Sequence, residues 1–317
     1  MSKHKKQHFV PKCYLKAWCD PGCPKKQTPY VWVFEKESKS GRRKSPDNIF
    51  HEKDMYTVKD KGGKRDLKIE HGLSGLERDF STTRIKKLDR RRDLDDKEKA
   101  IVTMFIAATH TRTKSQLSHM ADQWRDMLQS MDRLADQAKT ATEEERRYMA
   151  DISPTSKSQG AHSLTHNQVR QIVDDPVGTT LLPAFAAEAG LLAHLDMAIL
   201  CTTCRPGFIT SDRPCVWFDP EAYKRPPLFS APALIHDTIE ITLPVSPKQC
   251  ILLNRQGRTG YIDIPVEVVH EFNRRQRFHA SEHYVVCENS SNDYWFYEFE
   301  LPEDSWEKQQ GLRENPS

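Results

Sequence analysis

The sequence lacks the features that would place it in a membrane or among the common nucleotide-driven enzymes. No run of 18 apolar residues occurs, and no apolar stretch follows the lysines near the first methionine. We therefore expect neither a transmembrane helix nor a secretory leader. Gly-x4-Gly-Lys, Gly-x-Gly-x-x-Gly, His-Glu-x-x-His and Gly-x-Ser-x-Gly patterns are also absent. These absences argue against P-loop, dinucleotide-binding, zincin and serine-hydrolase chemistry.

The sequence predicts a cytoplasmic protein with reduced thiols. Hydrophobic residues make up 37% of the 317 residues and charged residues 29%, and eight cysteines are present. Without an export signal we expect these thiols to stay reduced. Cys19-x3-Cys23 and Cys201-x2-Cys204 together offer four thiolates, but the first spacing is loose and the pairs are far apart. We therefore do not expect structural Zn²⁺.

Positive charge is concentrated in the N-terminal third. Residues 1–100 contain 27 Lys and Arg against 16 Asp and Glu, whereas the remainder contains 21 against 29. Such asymmetry is typical of a protein with an anionic partner, and nucleic acid is the partner that we expect. The alternative is a basic face that pairs with the acidic remainder of the same fold.

Periodicity predicts an α+β fold. Residues 30–34 are dense in aromatic and β-branched side chains, which predicts a strand. Apolar spacing predicts helices over residues 67–88 and from Asp95 to about residue 134, and the alanine-rich residues 181–195 suit a central buried helix. From residue 197 onward the pattern is extended. Residues 197–202 and 207–210 resemble one hairpin, and residues 238–243 and 249–253 resemble another.

These elements predict one domain over residues 1–300 and a polar tail over residues 301–317. A central helical bundle, residues 65–196, would pack against a mostly antiparallel sheet formed from the N-terminal and C-terminal segments. Residues 197–300 would be its strand-rich part. The oligomeric state is not predicted.

The N-terminal segment supplies the leading candidate for a functional side chain. His8-Phe9-Val10-Pro11 precedes the apolar Tyr14, Leu15 and Trp18, so the segment is expected to dock against the body of the fold. His8 would then act as a general base or metal ligand, because imidazole exchanges a proton near neutral pH. Equally, it would serve as a hydrogen-bond anchor for the segment.

Two carboxylates and one arginine form the second group of candidates. Glu70 and Glu77 are seven residues apart and would share one face of a helix, where they could hold a divalent cation. Arg112 ends an apolar helical stretch and could bind a phosphate. Alternatively, Arg112 pairs with one of the two glutamates.

Ser211 and Asp212 form the third group. They directly follow the apolar strand residues 208–210 and precede Pro214, a position at which strands often present polar groups. Asp212 is predicted to bind a metal or to orient His8, and Ser211 accompanies it as a catalytic candidate. The alternative is a turn in which the Asp212 side chain accepts hydrogen bonds from backbone amides.

Taken together, these short motifs resemble the DUF4238 family. The resemblance runs from the N-terminal motif to the helix around Asn273 and depends on five motifs in this order: His8-Phe9-Val10-Pro11 with Tyr14-Leu15, the helix from Ile69-Glu70 to Glu77, Arg112 after Phe105-Ile106, Thr210-Ser211-Asp212 with Pro214, and Leu243-Pro244-x-Ser246-Pro247. Cys13 departs from the apolar residue usual before the tyrosine. The resemblance implies the domain limits and the motif set, but no activity.

Two functional hypotheses follow. The first is a metal-assisted hydrolase of the phosphodiesterase or nuclease kind, using Mg²⁺ or Mn²⁺, in which His8, Glu70, Glu77 and Asp212 converge and Arg112 stabilises phosphate charge. The second is a non-enzymatic regulatory module that binds nucleic acid or protein. The first predicts acids with few partners in one cleft, and the second predicts acids already paired with arginine or backbone amides.

Overall fold

The computed structural model describes residues 6–59, 62–145, 147, 164–300 and 302–309. Its helices include α1 Lys12–Leu15, α2 Lys68–Lys86, α3 Asp96–Thr111, α4 Lys114–Thr140, α5 His166–Asp174, α6 Pro176–Leu192, α7 Val266–His279 and α8 Trp306–Gln309. Residues 301 and 310–317 of the expected C-terminal tail lie outside the described residues.

The strands are short and form two main sheets and two ribbons. They are β1 Lys6–His8, β2 Val31–Glu35, β3 Gly41–Lys44, β4 His51–Lys53, β5 Val58–Lys59, β6 Arg65–Asp66, β7 Asp196–Cys201, β8 Thr210–Ser211, β9 Val216–Phe218, β10 Glu240–Ser246, β11 Gln249–Asn254, β12 Gly260–Asp263 and β13 His283–Val286. The larger sheet has the order β12-β7-β11-β10-β9, and the smaller has the order β3-β2-β13-β8. β1 pairs with β4 and β5 with β6.

The α+β prediction is confirmed. The smaller sheet joins β2 and β3 from the N-terminal part to β8 and β13 from the C-terminal part, and all of its pairings are antiparallel. The larger sheet is antiparallel except where β12 runs parallel to β7. One buried cluster joins the N-terminal segment, α2, α3 and the larger sheet, and within it the rings of Phe80 and Phe105 stack 3.6 Å apart.

The long helix predicted from Asp95 is in fact two helices. The Asp95 side chain accepts a hydrogen bond from the Glu98 amide, and the Glu98 side chain accepts one from the Asp95 amide, so a capping box begins α3. A second cap then interrupts the helix, because Thr113 is extended and its hydroxyl accepts a hydrogen bond from the Gln116 amide. The apolar period continues across the break, which is why the sequence does not reveal it.

The expectation of a central buried helix at residues 181–195 is wrong. α6 buries Leu181 and Leu192, but Leu182 is 52% exposed and Leu191 is 55% exposed. Half of the eight residues between them are alanine, which is apolar enough for a core but small enough to remain at a surface.

The two hairpins predicted in the C-terminal part have different outcomes. β10 and β11 pair antiparallel, with Ile241 opposite Leu253, as expected. The hairpin expected from residues 197–202 and 207–210 does not form, because β7 pairs with β11 in the larger sheet and β8 pairs with β13 in the smaller one. The loop between β7 and β8 therefore connects two sheets.

No helix in the described part of the chain is both long enough and apolar enough to cross a bilayer.

Candidate functional site

The N-terminal segment docks into the core, as predicted. β1 pairs antiparallel with β4, and the side chains that follow it are buried. The Tyr14 hydroxyl donates to the carbonyl oxygen of Pro244 over 2.6 Å and lies 2.7 Å from Thr210 Oγ1. Trp18 Nε1 donates to the carbonyl oxygen of Phe208 over 2.9 Å. These long-range hydrogen bonds fix the position of the histidine at the end of β1.

His8 is partly buried beside a second histidine. Its ring meets that of His51 edge to face, with centroids 5.4 Å apart. Burial lowers the pKa of His8, the positive form of His51 lowers it further, and the nearby carboxylate of Glu77 opposes both effects. Nε2 of His8 has no hydrogen-bond partner among the described residues. The ring is therefore neutral near pH 7 and close enough to Glu77 to feel its charge.

Glu77 is paired with Arg112. The Nη1 atom of Arg112 donates to Glu77 Oε1 over 2.8 Å, and Arg112 is only 1% exposed. The Tyr56 hydroxyl donates to the carbonyl oxygen of Arg112 over 3.0 Å. Burial raises the pKa of Tyr56, and both Glu70 and Glu77 raise it further, consistent with two carboxylates on one face of α2. Of the two glutamates, Glu77 is the one that meets the predicted arginine.

Asp212 is held by the backbone of the loop before β13. One carboxylate oxygen accepts from the Ser281 amide over 2.8 Å, and the other accepts from the amides of Glu282 and His283 over 2.7 and 3.0 Å. Burial raises the pKa of Asp212, although these three donors oppose the shift. Most lone-pair positions of the carboxylate are thus occupied.

Ser211, like Asp212, is buried and accepts hydrogen bonds from protein donors. It is fully buried, and its Oγ accepts from Gln276 Nε2 over 2.7 Å and from the Arg213 amide over 3.0 Å. Both partners are donors, so neither can remove the hydroxyl proton as a general base would.

Asp212 lines a cavity of about 500 Å³ that we call the histidine cavity; its wall also contains Phe9, Phe50, His51 and His283. His8 does not line this cavity, but the ring that it contacts, His51, does.

The candidates are therefore split between two places. His8, Glu77 and Arg112 lie together beside the docked segment, whereas Ser211 and Asp212 lie at the end of β8, where Asp212 contacts the loop that precedes β13. Among the described residues, no group of three or more His, Cys, Asp or Glu is placed to hold a metal ion. Glu70, Glu77 and Asp212 are thus not gathered into one metal centre in this part of the chain.

A second cavity, of about 580 Å³, lies between α2, the loop after β7 and the β10–β11 turn; we call it the basic cavity. Its cationic side chains are Arg84, Arg91, Arg205 and Lys248. Four thiols also line it: Cys19, Cys201, Cys204 and Cys287. Burial raises the pKa of Cys19, Cys201 and Cys287, the last to about 11, so these thiols remain protonated at neutral pH. All eight cysteines are free.

The basic cavity adjoins the densest run of positive charge in the protein. Residues 84–92, which we call the basic segment, contain six Lys and Arg and one acidic residue. Arg91 binds Asp263 through both of its terminal nitrogens, and Lys87 pairs with Glu98. The other four cations have no carboxylate within 4.0 Å among the described residues: Arg84, Lys86, Arg90 and Arg92.

Sequence reasoning did not single out this segment, although its signal is visible. The letters RIKKLDRRR carry six positive charges across the end of a helix. Gln249, which also lines the basic cavity, was missed too; its amide side chain stands at the start of an apolar strand and is 5% exposed. A buried amide in a strand is itself an indication of a specific partner.

Comparison with known proteins gives one relationship. No curated protein and no solved structure matches the chain. The family model described as "Protein of unknown function (DUF4238)" matches residues 6–291. This range includes the docked segment, both cavities and every motif that carried the resemblance. The chain therefore belongs to the DUF4238 family.

Proposed function

We propose that this protein is a nucleic-acid-binding module that holds a phosphodiester backbone against the basic segment. The observation that carries the proposal is the failure of the fold to neutralise its own N-terminal charge. Among the described residues, only two Lys or Arg from positions 1–100 pair with acids beyond residue 100, namely Lys39 with Asp293 and Arg91 with Asp263. The alternative of an internally paired basic face therefore has little support.

Ion pairs in the opposite direction strengthen this imbalance. Three acids of the N-terminal part, Glu37, Glu52 and Glu77, are paired with cations from beyond residue 100: Arg277, Lys114 and Arg112. Three of the acids that could offset the N-terminal charge thus pair with cations from the rest of the chain. The excess of positive charge remains at the surface, where an external polyanion can neutralise it.

The basic segment is suited to phosphate. Lys86, Arg90 and Arg92 are exposed, and none of them has a carboxylate partner in the described structure. Arginine presents a planar set of donors that matches phosphate oxygens. Each contact with a phosphate releases a bound counterion, so a few such residues give measurable, salt-sensitive affinity.

The hydrolase hypothesis has weaker support. It calls for acids that remain available to a metal ion, but Glu77 is paired with Arg112 and Asp212 accepts three backbone hydrogen bonds. The proximity of His8 to Glu77 is its best remaining support. Incubating wild type and His8→Ala with RNA and DNA in the presence of Mg²⁺ or Mn²⁺ tests it. Cleavage that His8→Ala loses would favour the hydrolase over a purely binding role.

Fluorescence anisotropy with labelled single-stranded RNA and duplex DNA tests the binding proposal. We expect Lys86→Glu/Arg90→Glu/Arg92→Glu to weaken binding by more than about tenfold at about 0.1 M salt, because three phosphate contacts are replaced by repulsion. The matched control is Lys44→Glu/Lys53→Glu/Arg133→Glu. It changes the net charge equally, but on β3, β4 and α4, which do not line the basic cavity.

Two results would contradict the proposal. Equal weakening by both triple variants would show that only net charge matters. Binding of labelled polyglutamate as tight as that of RNA would identify the partner as an acidic protein segment instead.

A further inference from the structure

Among the described residues, two buried polar atoms beside the basic cavity have no hydrogen-bond partner. They are Nε of Arg84, a donor, and Oε1 of Gln249, an acceptor. Both residues line the cavity. Because buried polar groups in folded proteins nearly always have a hydrogen-bond partner, this pair of opposite roles points to a ligand with both an anionic acceptor and a donor.

The orientation of the Gln249 amide is fixed by its neighbours. Nε2 donates to the carbonyl oxygen of Leu88 over 2.7 Å and lies 3.8 Å from the sulfur of Cys201. Exchanging the amide nitrogen and oxygen would set two oxygens against each other, so the unpartnered atom is the acceptor. A ligand hydroxyl or amine would satisfy it.

The cations of the cavity divide into occupied and available ones. Arg91 is held by Asp263, and Arg205 faces Glu288 at 3.9 Å. Arg84 and Lys248 have no carboxylate within 4.0 Å among the described residues.

One carboxylate of the cavity wall, Asp89, has no cationic partner within the same part of the chain. The wall nevertheless carries four cations against two carboxylates, which favours an anion. The protonated thiols add no charge. A volume of about 580 Å³ is within the range of small-molecule sites.

We propose that the basic cavity binds a phosphate monoester of a sugar, with the phosphate on Arg84 and Lys248 and a sugar hydroxyl donating to Gln249. This chemistry has two sources, the phosphorylated end of a nucleic-acid strand and a free nucleoside monophosphate. The strand-end source rests on the proposed function, because two cations of the basic segment, Arg84 and Arg91, line the cavity.

Isothermal titration calorimetry with four probes tests the site. The probes are uridine 5′-monophosphate, inorganic phosphate, and an RNA of about 12 nucleotides with either a 5′-phosphate or a 5′-hydroxyl. We expect uridine 5′-monophosphate to bind at least about fivefold tighter than inorganic phosphate, and the phosphorylated RNA to bind at least about fivefold tighter than its unphosphorylated form.

Two cavity variants and one control make the test specific. Arg84→Gln and Lys248→Gln should each abolish the preference for the phosphorylated probe. Lys248 is exposed, so its replacement does not endanger folding. Lys53→Gln, on β4 and outside the cavity, should retain the full preference. A melting curve for each variant confirms that it is folded.

The outcomes separate the two proposals. Binding of uridine 5′-monophosphate without any RNA binding would support the cavity with a free nucleotide as its source and would overturn the proposed function. RNA binding that ignores the terminal phosphate, with no uridine 5′-monophosphate binding, would overturn the cavity proposal alone. Inorganic phosphate binding as tightly as the nucleotide would overturn the role of Gln249.

Discussion

The loop around Asp212 and the basic segment treat charge in opposite ways. The Asp212 carboxylate is buried and accepts three backbone hydrogen bonds, so its charge is fully used in holding the chain. In the basic segment, Lys86, Arg90 and Arg92 lie at the surface with no carboxylate partner among the described residues. The comparison teaches that the charge of this motif residue is bound within the fold, while the unmatched charge lies in a run with no motif.

Replacing Asp212 gives the largest expected effect if that contrast is correct. Asp212→Ala would leave three buried amides without an acceptor, and we expect the free energy of unfolding to fall by about 3 to 5 kcal/mol. Urea denaturation measures this loss. Asp237→Ala, at an exposed aspartate, is the control and should change stability by less than about 0.5 kcal/mol. If Asp212→Ala lowered the free energy of unfolding by less than about 1 kcal/mol, the structural role of Asp212 would be contradicted.

Breaking the buried ion pair tests the same idea beside the docked segment. Arg112→Met would strand the carboxylate of Glu77, whose side chain is 24% exposed, and we expect a loss of about 3 kcal/mol. Adding Glu77→Leu should recover more than half of that loss, which a double-mutant cycle in urea would show. Arg78→Met, next to Glu77 on α2, breaks only an exposed ion pair and should change the free energy of unfolding very little. Absence of recovery would mean that Glu77 does more than balance Arg112.

The titration of His279, at the end of α7 and just before the loop that holds Asp212, should have a smaller effect on stability. Burial lowers the pKa of His279 to about 4, and the cations Arg213, Lys36 and Arg275 lower it further. The unfolded chain takes up this proton below about pH 6.5 while the folded one does not, so stability falls as the pH decreases toward 4. Between about pH 7.5 and 5, wild type should lose about 2 kcal/mol more than His279→Gln. Parallel pH profiles for the two proteins would contradict this.

Substitutions in the basic segment should leave the free energy of unfolding almost unchanged in the same assays. Lys86→Glu/Arg90→Glu/Arg92→Glu removes no ion pair found among the described residues. We therefore expect its free energy of unfolding, measured in urea, to match that of wild type within about 0.5 kcal/mol. A clear loss of stability would mean that these cations have a role within the fold, and the comparison would then fail.

Much of the fold can be predicted from the sequence, because many of its helices and strands are determined by residues close together in the chain. The capping box of Asp95 and Glu98 and the apolar strands on either side of the β10–β11 turn each depend on a few neighbouring residues. The break at Thr113 was missed because the apolar period runs through it. The exposed face of α6 was missed because alanine occurs at both buried and exposed positions, so an alanine-rich helix does not reveal which face is buried.

The candidate site was only partly predictable, for a different physical reason. The pairing of Arg112 with Glu77 was among the alternatives, and the structure contains it. The role of Gln249 depends on a carbonyl oxygen 161 positions away, that of Leu88. Which cations stay unpaired depends on where every acid folds, and this is a property of the tertiary structure alone.

The salt dependence of RNA binding tests the central claim most directly. Anisotropy titrations from about 0.05 to 0.3 M salt give the slope of log K against log salt concentration, which counts the phosphates neutralised. Replacing Lys86, Arg90 and Arg92 by glutamine should reduce the magnitude of that slope by about 2 for a single strand. An unchanged slope would contradict the account, because the basic segment would then make no contact with the backbone.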